Sequence, residues 1–147
     1  MSLELVQGDI FTAHADAIVN PVNCVGTMGK GLALEFKHRY PTMFAAYRDL
    51  CFKKELTLGG VMVFTDFDPV VVCLPTKQHW RDGSSLEIVE RGLKTLIRCV
   101  AGEGWTRVAL PALGCGYGGL EFEPVLALCV EHLGPAPATF LLYKPHE

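Results

Sequence analysis

The sequence predicts an α/β fold in which helices cover both faces of a central sheet. Short apolar runs alternate along the chain with segments whose apolar residues recur at helical spacing. One of these runs, Val70 to Leu74, is apolar throughout, which is typical of a strand buried on both faces. The 147 residues are enough to enclose a core without disulfide or metal support. We therefore expect residues 1–147 to form one domain.

The predicted strands are β-branched or apolar runs that end at glycine, proline or polar turns. They are Leu3 to Gln7, Ala17 to Val19, Val61 to Phe64, Val70 to Leu74, Arg107 to Leu110 and Ala138 to Tyr143. The second strand is expected to end at Asn20 because Pro21 follows it.

The predicted helices show apolar residues three or four positions apart. A first helix begins near Lys30 and is interrupted by Pro41, and a second covers Thr42 to Phe52. Ser84 and Ser85 followed by Glu87 are typical of a helix N-terminus, so a third helix follows over Leu86 to Val100. The last helix covers Phe122 to Leu133.

Composition narrows the class of function. The chain has 13 Lys and Arg against 16 Asp and Glu, a net charge of −3, which argues against a generally basic nucleic-acid binder but allows a local basic patch. No apolar run could span a membrane, and the N-terminus lacks a signal peptide, so we expect a cytoplasmic protein. None of the six cysteines forms a C-x-x-C pair, so the sequence predicts neither a metal site nor a cofactor.

In such folds ligands bind beyond the carboxyl ends of the strands, and two candidate segments lie there in the first half of the chain. Asp9 follows a glycine at the end of the first strand, where its carboxylate can cap a turn or accept a hydrogen bond from an exocyclic amine such as that of adenine. In the segment Asn20 to Gly31, three glycines precede a helix, so backbone N–H groups can face an anion. Asn23 can bind a sugar hydroxyl or only organise this turn.

Two further segments follow later strands. Gly114, Gly116 and Gly119 match G-x-G-x-x-G, but only one helix and one strand remain after them, so a dinucleotide-binding fold is excluded. This segment is a second phosphate-facing loop or a structural turn. Lys77 follows the buried strand and precedes Trp80, so it can act as a nucleophile or base, or belong to an exposed basic loop.

In this order the four segments resemble the macrodomain family, over essentially the whole chain. The resemblance implies a three-layer α/β/α macrodomain sandwich with a central mixed sheet that binds ADP-ribose in a cleft at the strand ends. It implies that Asp9 and the backbone of Ile10 meet adenine and that Asn23 meets the distal ribose. The other implied contacts lie in the loops that would hold the diphosphate and distal ribose: Gly26, Thr27, Met28, Gly29, Lys30, Gly31, Thr76, Leu113, Gly114, Cys115, Gly116, Tyr117 and Gly118.

Within the family the chain is most similar to the DarG branch, over Asn23 to Lys37, Leu74 to Arg81 and Leu113 to Leu120. DarG macrodomains are antitoxins that remove the ADP-ribose which a DarT toxin attaches to thymidine in single-stranded DNA. The resemblance implies that Lys77 is catalytic and that the partners are ADP-ribose, ADP-ribosylated single-stranded DNA and a DarT-type toxin. We expect a monomer without membrane association. His79, Trp80 and Arg81 are candidate DNA contacts.

The human terminal ADP-ribose protein glycohydrolase is similar and cleaves glutamate-linked ADP-ribose. It has an aspartate in its second glycine loop, whereas residues 115–119 contain no acid here and the nearest carboxylate is Glu121. This difference favours the DNA substrate. Two alternatives stay open, namely hydrolysis of another ADP-ribosyl substrate, such as the glutamate-linked form, and a module that binds ADP-ribose without cleaving it. Only Lys77 and its loop favour catalysis.

Overall fold

The computed structural model describes residues 2–145 and contains one mixed sheet of six strands. The strands are β1 (Leu3–Val6), β2 (Ala17–Val22), β3 (Met62–Phe64), β4 (Val70–Pro75), β5 (Arg107–Pro111) and β6 (Thr139–Tyr143). The helices are α1 (Gly31–Arg39), α2 (Pro41–Phe52), α3 (Leu86–Glu103) and α4 (Phe122–Leu133). A short 3₁₀ helix, Ile10–Thr12, which the sequence did not predict, follows β1.

The strand order is β1-β6-β5-β2-β4-β3. All neighbouring strands run parallel except β3, which pairs antiparallel with β4 at one edge. The predicted mixed sheet is therefore confirmed. β4 and β3 lie on one side of the central strand β2, and β5 and β6 lie on its other side. The strand order therefore reverses at β2. Open α/β sheets form ligand sites at such a reversal.

Alternation along the central strands divides the core into two layers. Ala17 and Val19 face α3 and α4, whereas Ile18 faces α1 and α2. The same alternation holds in β4, where Val72 packs with α3 and α4 and Val71 packs with α1 and α2. Helices thus cover both faces, as the predicted three-layer α/β/α sandwich requires.

The predicted element bounds agree with the structure within a few residues, with one informative exception. The sequence placed the end of β2 before Pro21, but β2 continues to Val22 and stays in parallel register with β4 as far as Pro75. The Val22 carbonyl accepts a hydrogen bond from Thr76 N–H on the β4 side, so its neighbour Pro21 faces the β5 side. Because β2 pairs with β5 only at Ala17 and Ile18, the missing N–H of Pro21 leaves no partner unsatisfied.

Candidate functional site

A cleft of about 1050 Å³ opens where β2 and β5 diverge, at the carboxyl ends of the parallel strands. Pro21 from β2 and Pro111 from β5 form facing parts of its floor. All four predicted segments contribute to its walls: residues 8–10, 27–31, 76–77 with Trp80, and 114–118 without residue 115. The predicted convergence of these four segments on one cavity is therefore present in the structure.

Asp9 and Ile10 line the end of the cleft next to β1. Asp9 caps the 3₁₀ helix, because its Oδ1 accepts a hydrogen bond of 2.9 Å from Phe11 N–H. Oδ2 accepts no hydrogen bond from residues 2–145, so this oxygen remains available to a donor on a ligand. The turn role and the proposed adenine contact are therefore compatible in one side chain.

Asn23 organises the first glycine loop. Its Nδ2 donates to the carbonyl and hydroxyl oxygens of Thr27, at 3.1 and 2.8 Å, and its Oδ1 accepts from Val25 N–H at 3.0 Å. The buried hydroxyl of Tyr47 also lies 2.7 Å from Oδ1, and burial raises the pKa of Tyr47, which keeps it a donor. Asn23 lines the cleft, but a ribose hydroxyl would have to share or replace one of these bonds.

Gly26 lies at the back of the same loop and does not line the cleft. It has a φ of +84°, and an added Cβ would lie 3.4 Å from Cγ of Arg48 on α2. Gly26 therefore makes the turn and its close packing on α2 possible. Thr27, Met28, Gly29, Lys30 and Gly31 form the ligand-facing part of the loop.

The second glycine loop is a compact turn between β5 and α4. An added Cβ at Gly118 would collide with the Gly114 carbonyl, so the chain can cross itself only with glycine at this position. Leu113 is fully buried in the core, and Cys115 is half-buried beside it, so neither lies on the cleft surface. Any contact of these two residues with a ligand stays a prediction.

Tyr117 connects the two glycine loops across the cleft. Its ring lies so close to Gly31 that a Cβ there would be 3.2 Å from Cε2, and Lys30 Nζ lies 5.3 Å from the ring centroid. Tyr117 is 69% exposed, which leaves its other face open to solvent. The two glycine loops therefore come into contact where the Tyr117 ring meets Gly31, and they partly cover the cleft there.

Lys77 lies in a loop that its own hydrogen bonds hold in shape. Its Nζ donates to the Trp80 carbonyl at 3.0 Å, and the backbone N–H of His79 donates to Asp82 Oδ2 at 3.1 Å. The Gln78 carbonyl accepts from Cys24 N–H at 2.9 Å, which joins this loop to the first glycine loop. Lys77 thus has a defined position in the cleft wall.

The three candidate DNA-contacting residues differ in position. Trp80 is half exposed and lines the cleft, with the His79 ring and the Arg81 guanidinium each 5.1 Å from its ring. His79 and Arg81 lie outside the cleft on either side of Trp80. The His79 and Trp80 rings are tilted by 39° to each other, so of these three residues the exposed Trp80 is the one whose ring a base could contact at the cleft rim.

One acidic residue of the cleft was predicted and one was not. Among the described residues, the carboxylates that line it are Asp9 and Glu35, whereas Glu121 is exposed at the start of α4 and lies outside it. Glu35 follows Gly31 by four residues, so the helical period could have placed it on the loop side of α1. Tyr143 and Lys144 also line the cleft and were not predicted. They lie at the carboxyl end of β6, where ligands of such sheets bind, so their place in the chain could have indicated them.

The loop cysteines are unsuited to nucleophilic chemistry. Burial, with a smaller contribution from Cys51, raises the pKa of Cys24 to about 11, and burial also raises the pKa of Cys115. Both therefore remain thiols near neutral pH. Among the described residues, the amines that line the cleft are those of Lys30, Lys77 and Lys144, and the Lys77 Nζ is held by its hydrogen bond to the Trp80 carbonyl.

The α/β/α sandwich with two glycine loops around one cleft matches the Macro domain family model over residues 19–129, and the chain belongs to this family. A DNA ADP-ribosyl glycohydrolase of Mycobacterium tuberculosis is 46% identical over 122 residues, which are 80% of this chain and 35% of that protein. The chain thus spans about a third of the length of that relative.

Two solved structures are similar over nearly the whole chain. The macrodomain of Mycobacterium tuberculosis DarG has a TM-score of 0.93 and 40% identity, with 99% of this chain and 98% of that one covered. Thermosipho africanus DarTG in complex with ADP-ribose has a TM-score of 0.91 and 33% identity, with 98% of this chain and 42% of that one covered. The predicted macrodomain fold and its DarG-like character are confirmed. Within residues 2–145, no helix has the length and apolar character needed to cross a bilayer.

Proposed function

We propose that this chain hydrolyses the bond between ADP-ribose and thymidine in single-stranded DNA. The observation that carries the proposal is the position of Lys77, whose amine is held in the wall of a cleft of about 1050 Å³ between two glycine loops. Relatives named DNA ADP-ribosyl glycohydrolase support the choice of reaction. The lack of an acid in residues 115–119 and the exclusion of Glu121 from the cleft argue against a lysine–aspartate pair.

The reaction acts at the anomeric carbon of the distal ribose, which gains positive charge as its bond to the base breaks. The glycine loops would hold the diphosphate through backbone N–H groups and the start of α1, which positions the ribose against Lys77. Lys77 Nζ would then form a C–N bond to the anomeric carbon while the base leaves with the bonding electron pair, and the proton that the nitrogen loses passes to the departing base. Water would release ADP-ribose and restore the amine. Lys77 could instead stabilise the ring-opened sugar without a covalent bond.

Other residues would serve binding. The free Oδ2 of Asp9 would accept a hydrogen bond from the adenine amine, and the Ile10 backbone would assist. Asn23 would hold the loop that meets the distal ribose. Thr76 and the loops of residues 27–31 and 114–118 would enclose the diphosphate and ribose, with Tyr117 covering them. Lys30 would add a positive charge beside the phosphates, since its Nζ lies above the Tyr117 ring.

The wider biological role is part of the same proposal. An antitoxin with this activity would reverse the product of a DarT-type ADP-ribosyltransferase, and the likeness to Thermosipho africanus DarTG supports that partner. A DNA substrate agrees with a cytoplasmic location. We propose that the domain of residues 1–147 performs the hydrolysis as a monomer and without a metal ion.

The deciding experiment compares two substrates. One is a single-stranded oligonucleotide ADP-ribosylated on thymidine, and the other is a peptide ADP-ribosylated on glutamate. We expect release of ADP-ribose from the DNA and not from the peptide. Release from the peptide alone would assign the second hydrolase class, and binding of ADP-ribose without release from either would indicate a binding module. Lys53 is an exposed lysine that follows the last residue of α2. Lys53→Ala, which removes one positive charge away from the cleft, is the control for Lys77→Ala and should still release ADP-ribose.

A further inference from the structure

A second groove, of about 380 Å³, lies outside the cleft between α3 and the loop of residues 57–60. Its helical wall carries three exposed cations, Arg91, Lys94 and Arg98, together with Thr95, and its other wall is the loop backbone. None of the described residues that line it is acidic. In a chain of net charge −3, this is a local concentration of positive charge.

The loop holds the Arg91 guanidinium directly, and Thr95 of α3 holds that of Arg98. Arg91 donates to the Leu58 carbonyl at 3.2 Å and lies flat against Gly59, where a Cβ would be 3.0 Å from a guanidinium nitrogen. Thr95 donates its hydroxyl hydrogen to the Gly59 carbonyl and accepts a hydrogen bond of 3.2 Å from Arg98. Most N–H groups of both arginines remain free to donate to a ligand. Because the hydrogen bonds already restrict these side chains in the folded protein, binding a ligand costs less side-chain entropy.

The three cations form no close ion pair with another described residue. Among residues 2–145 the ion pairs are Lys53 with Asp49 and His132 with Glu90 and Glu131, so none involves the groove. Glu90, one turn before Lys94 on α3, lies 2.8 Å from His132 on α4. This hydrogen bond, with a smaller contribution from Lys94, lowers the pKa of Glu90, so the Lys94 charge is only partly compensated. The cations occupy positions i, i+3 and i+7, which is one face of α3 about 10 Å long.

The groove lies next to the cleft. The antiparallel register that pairs Met62 with Cys73 brings the preceding loop level with the end of β4, directly before Thr76 and Lys77. The segment from Lys77 through Arg81 then leads into α3, which carries the three cations. The groove and the cleft share no lining residue, and residues 82–85 connect the loop that carries Trp80 to α3.

We propose that this groove binds the phosphodiester backbone of the single strand that carries the modified nucleotide, on one side of that nucleotide. The inference rests on the proposed function, since it extends the DNA substrate beyond the cleft. Guanidinium groups bind phosphates through paired hydrogen bonds, and Lys94 adds a point charge. A row of cations about 10 Å long matches about three phosphates at the B-form spacing of about 3.4 Å per strand, and about two in an extended single strand.

The test removes the three charges with Arg91→Gln, Lys94→Gln and Arg98→Gln in one variant. Release of ADP-ribose is measured at several salt concentrations from a long modified oligonucleotide and from ADP-ribosylated thymidine. For the long substrate we expect a raised KM, an unchanged kcat and a weaker salt dependence. Each phosphate contact contributes about 0.7 to the log–log slope for single strands, so the loss of two to three contacts lowers it by about 1.4 to 2. The nucleoside cannot reach the groove and should be cleaved equally by both proteins.

The control variant is Arg91→Lys with Arg98→Lys, which keeps the charge and loses the guanidinium contacts to the loop. It should retain most of the salt dependence. If the wild-type protein cleaves the long substrate and the glutamine variant matches it in KM and slope, the groove inference is overturned while the proposed function stands. Equal loss on both substrates would also overturn it, because the damage would lie in the cleft. If the wild-type protein releases nothing from either DNA substrate, the proposed function itself fails.

Discussion

The Nζ of Lys77 donates a hydrogen bond of 3.0 Å to the main-chain carbonyl of Trp80. This bond closes a small loop at the end of β4 and holds the amine in the cleft wall without neutralising it by an acid. A carbonyl can release the amine more readily than a carboxylate could, since a charge-assisted pair is stronger than a bond to a neutral acceptor. The Lys77 side chain can therefore break its hydrogen bond to the Trp80 carbonyl and turn toward the sugar when substrate binds.

Lys77→Ala and Lys77→Arg should separate nucleophilic from electrostatic action. Alanine removes both functions, and arginine keeps a positive charge but stays protonated, so it cannot attack the sugar. If Lys77 is the nucleophile, we expect both variants to lose about 10²- to 10⁴-fold in kcat, a range typical of lost chemical catalysis by one side chain. Calorimetric titration with ADP-ribose should show nearly unchanged affinity in both. Substantial activity in the arginine variant would instead support electrostatic stabilisation of the ring-opened sugar.

Gly31→Ala should reveal the contact between the two glycine loops. The backbone φ of Gly31 is +59°, and a Cβ would lie 3.2 Å from the Tyr117 ring, so alanine adds strain of about 1 kcal/mol and displaces the ring. We expect lower thermal stability and weaker binding of ADP-ribose. The same substitution in a Tyr117→Ala background is the control, since only the backbone strain remains there. Identical losses in both backgrounds would mean that the ring contact has no energetic weight.

Much of this architecture could be predicted from the sequence because local patterns determine it. Ser85 accepts the predicted cap hydrogen bond from Ile88 N–H at 3.2 Å, and the predicted bounds of α4 match the structure. The continuation of β2 through Pro21 could not be predicted in this way, because it depends on β5 diverging from β2. The position of Gly26 against α2 likewise depends on tertiary packing. The four ligand segments could be predicted because glycines and polar residues directly after a strand indicate a ligand loop. Glu35 lies inside a helix, so its position at the cleft can be predicted only when the orientation of that helix is known.

Asn20→Leu should stabilise the protein. Asn20 is fully buried, its Oδ1 has no hydrogen-bond partner among the described residues, and its Nδ2 meets only the sulfurs of Met28 and Cys73, each at 3.7 Å. A buried polar group without good partners costs about 1–3 kcal/mol, so a leucine of similar shape should raise the free energy of unfolding by about 1 kcal/mol. Urea unfolding followed by circular dichroism measures this change. A lower midpoint would indicate that the amide has a polar partner in solution.

Asp16 should make the stability of the protein depend on pH in the acid range. Its Oδ2 accepts hydrogen bonds from Thr106 N–H at 2.8 Å and from Arg107 N–H at 3.1 Å. The backbone bond from Thr106 is the main cause that lowers the pKa of this carboxyl below its ordinary value of 3.8, while partial desolvation opposes it. Because the folded pKa is lower than the unfolded one, the stabilisation is fully present above the unfolded value. It is lost as the pH falls through the folded pKa.

The measurement compares the wild-type protein with Asp16→Asn, whose amide is not ionised in this range. At pH 6 we expect the variant to be less stable by about 1 kcal/mol, a value reduced from that of a buried charged hydrogen bond because Asp16 is exposed to solvent. The gap should narrow as the pH drops below about 3.8, since the protonated wild-type carboxyl then resembles the neutral amide. Urea unfolding at pH 6, 4 and 3 gives the three free energies. A gap that stays constant across this range would show that the ionised carboxylate does not carry the stabilisation, and that Asp16 acts through the shape of its turn alone.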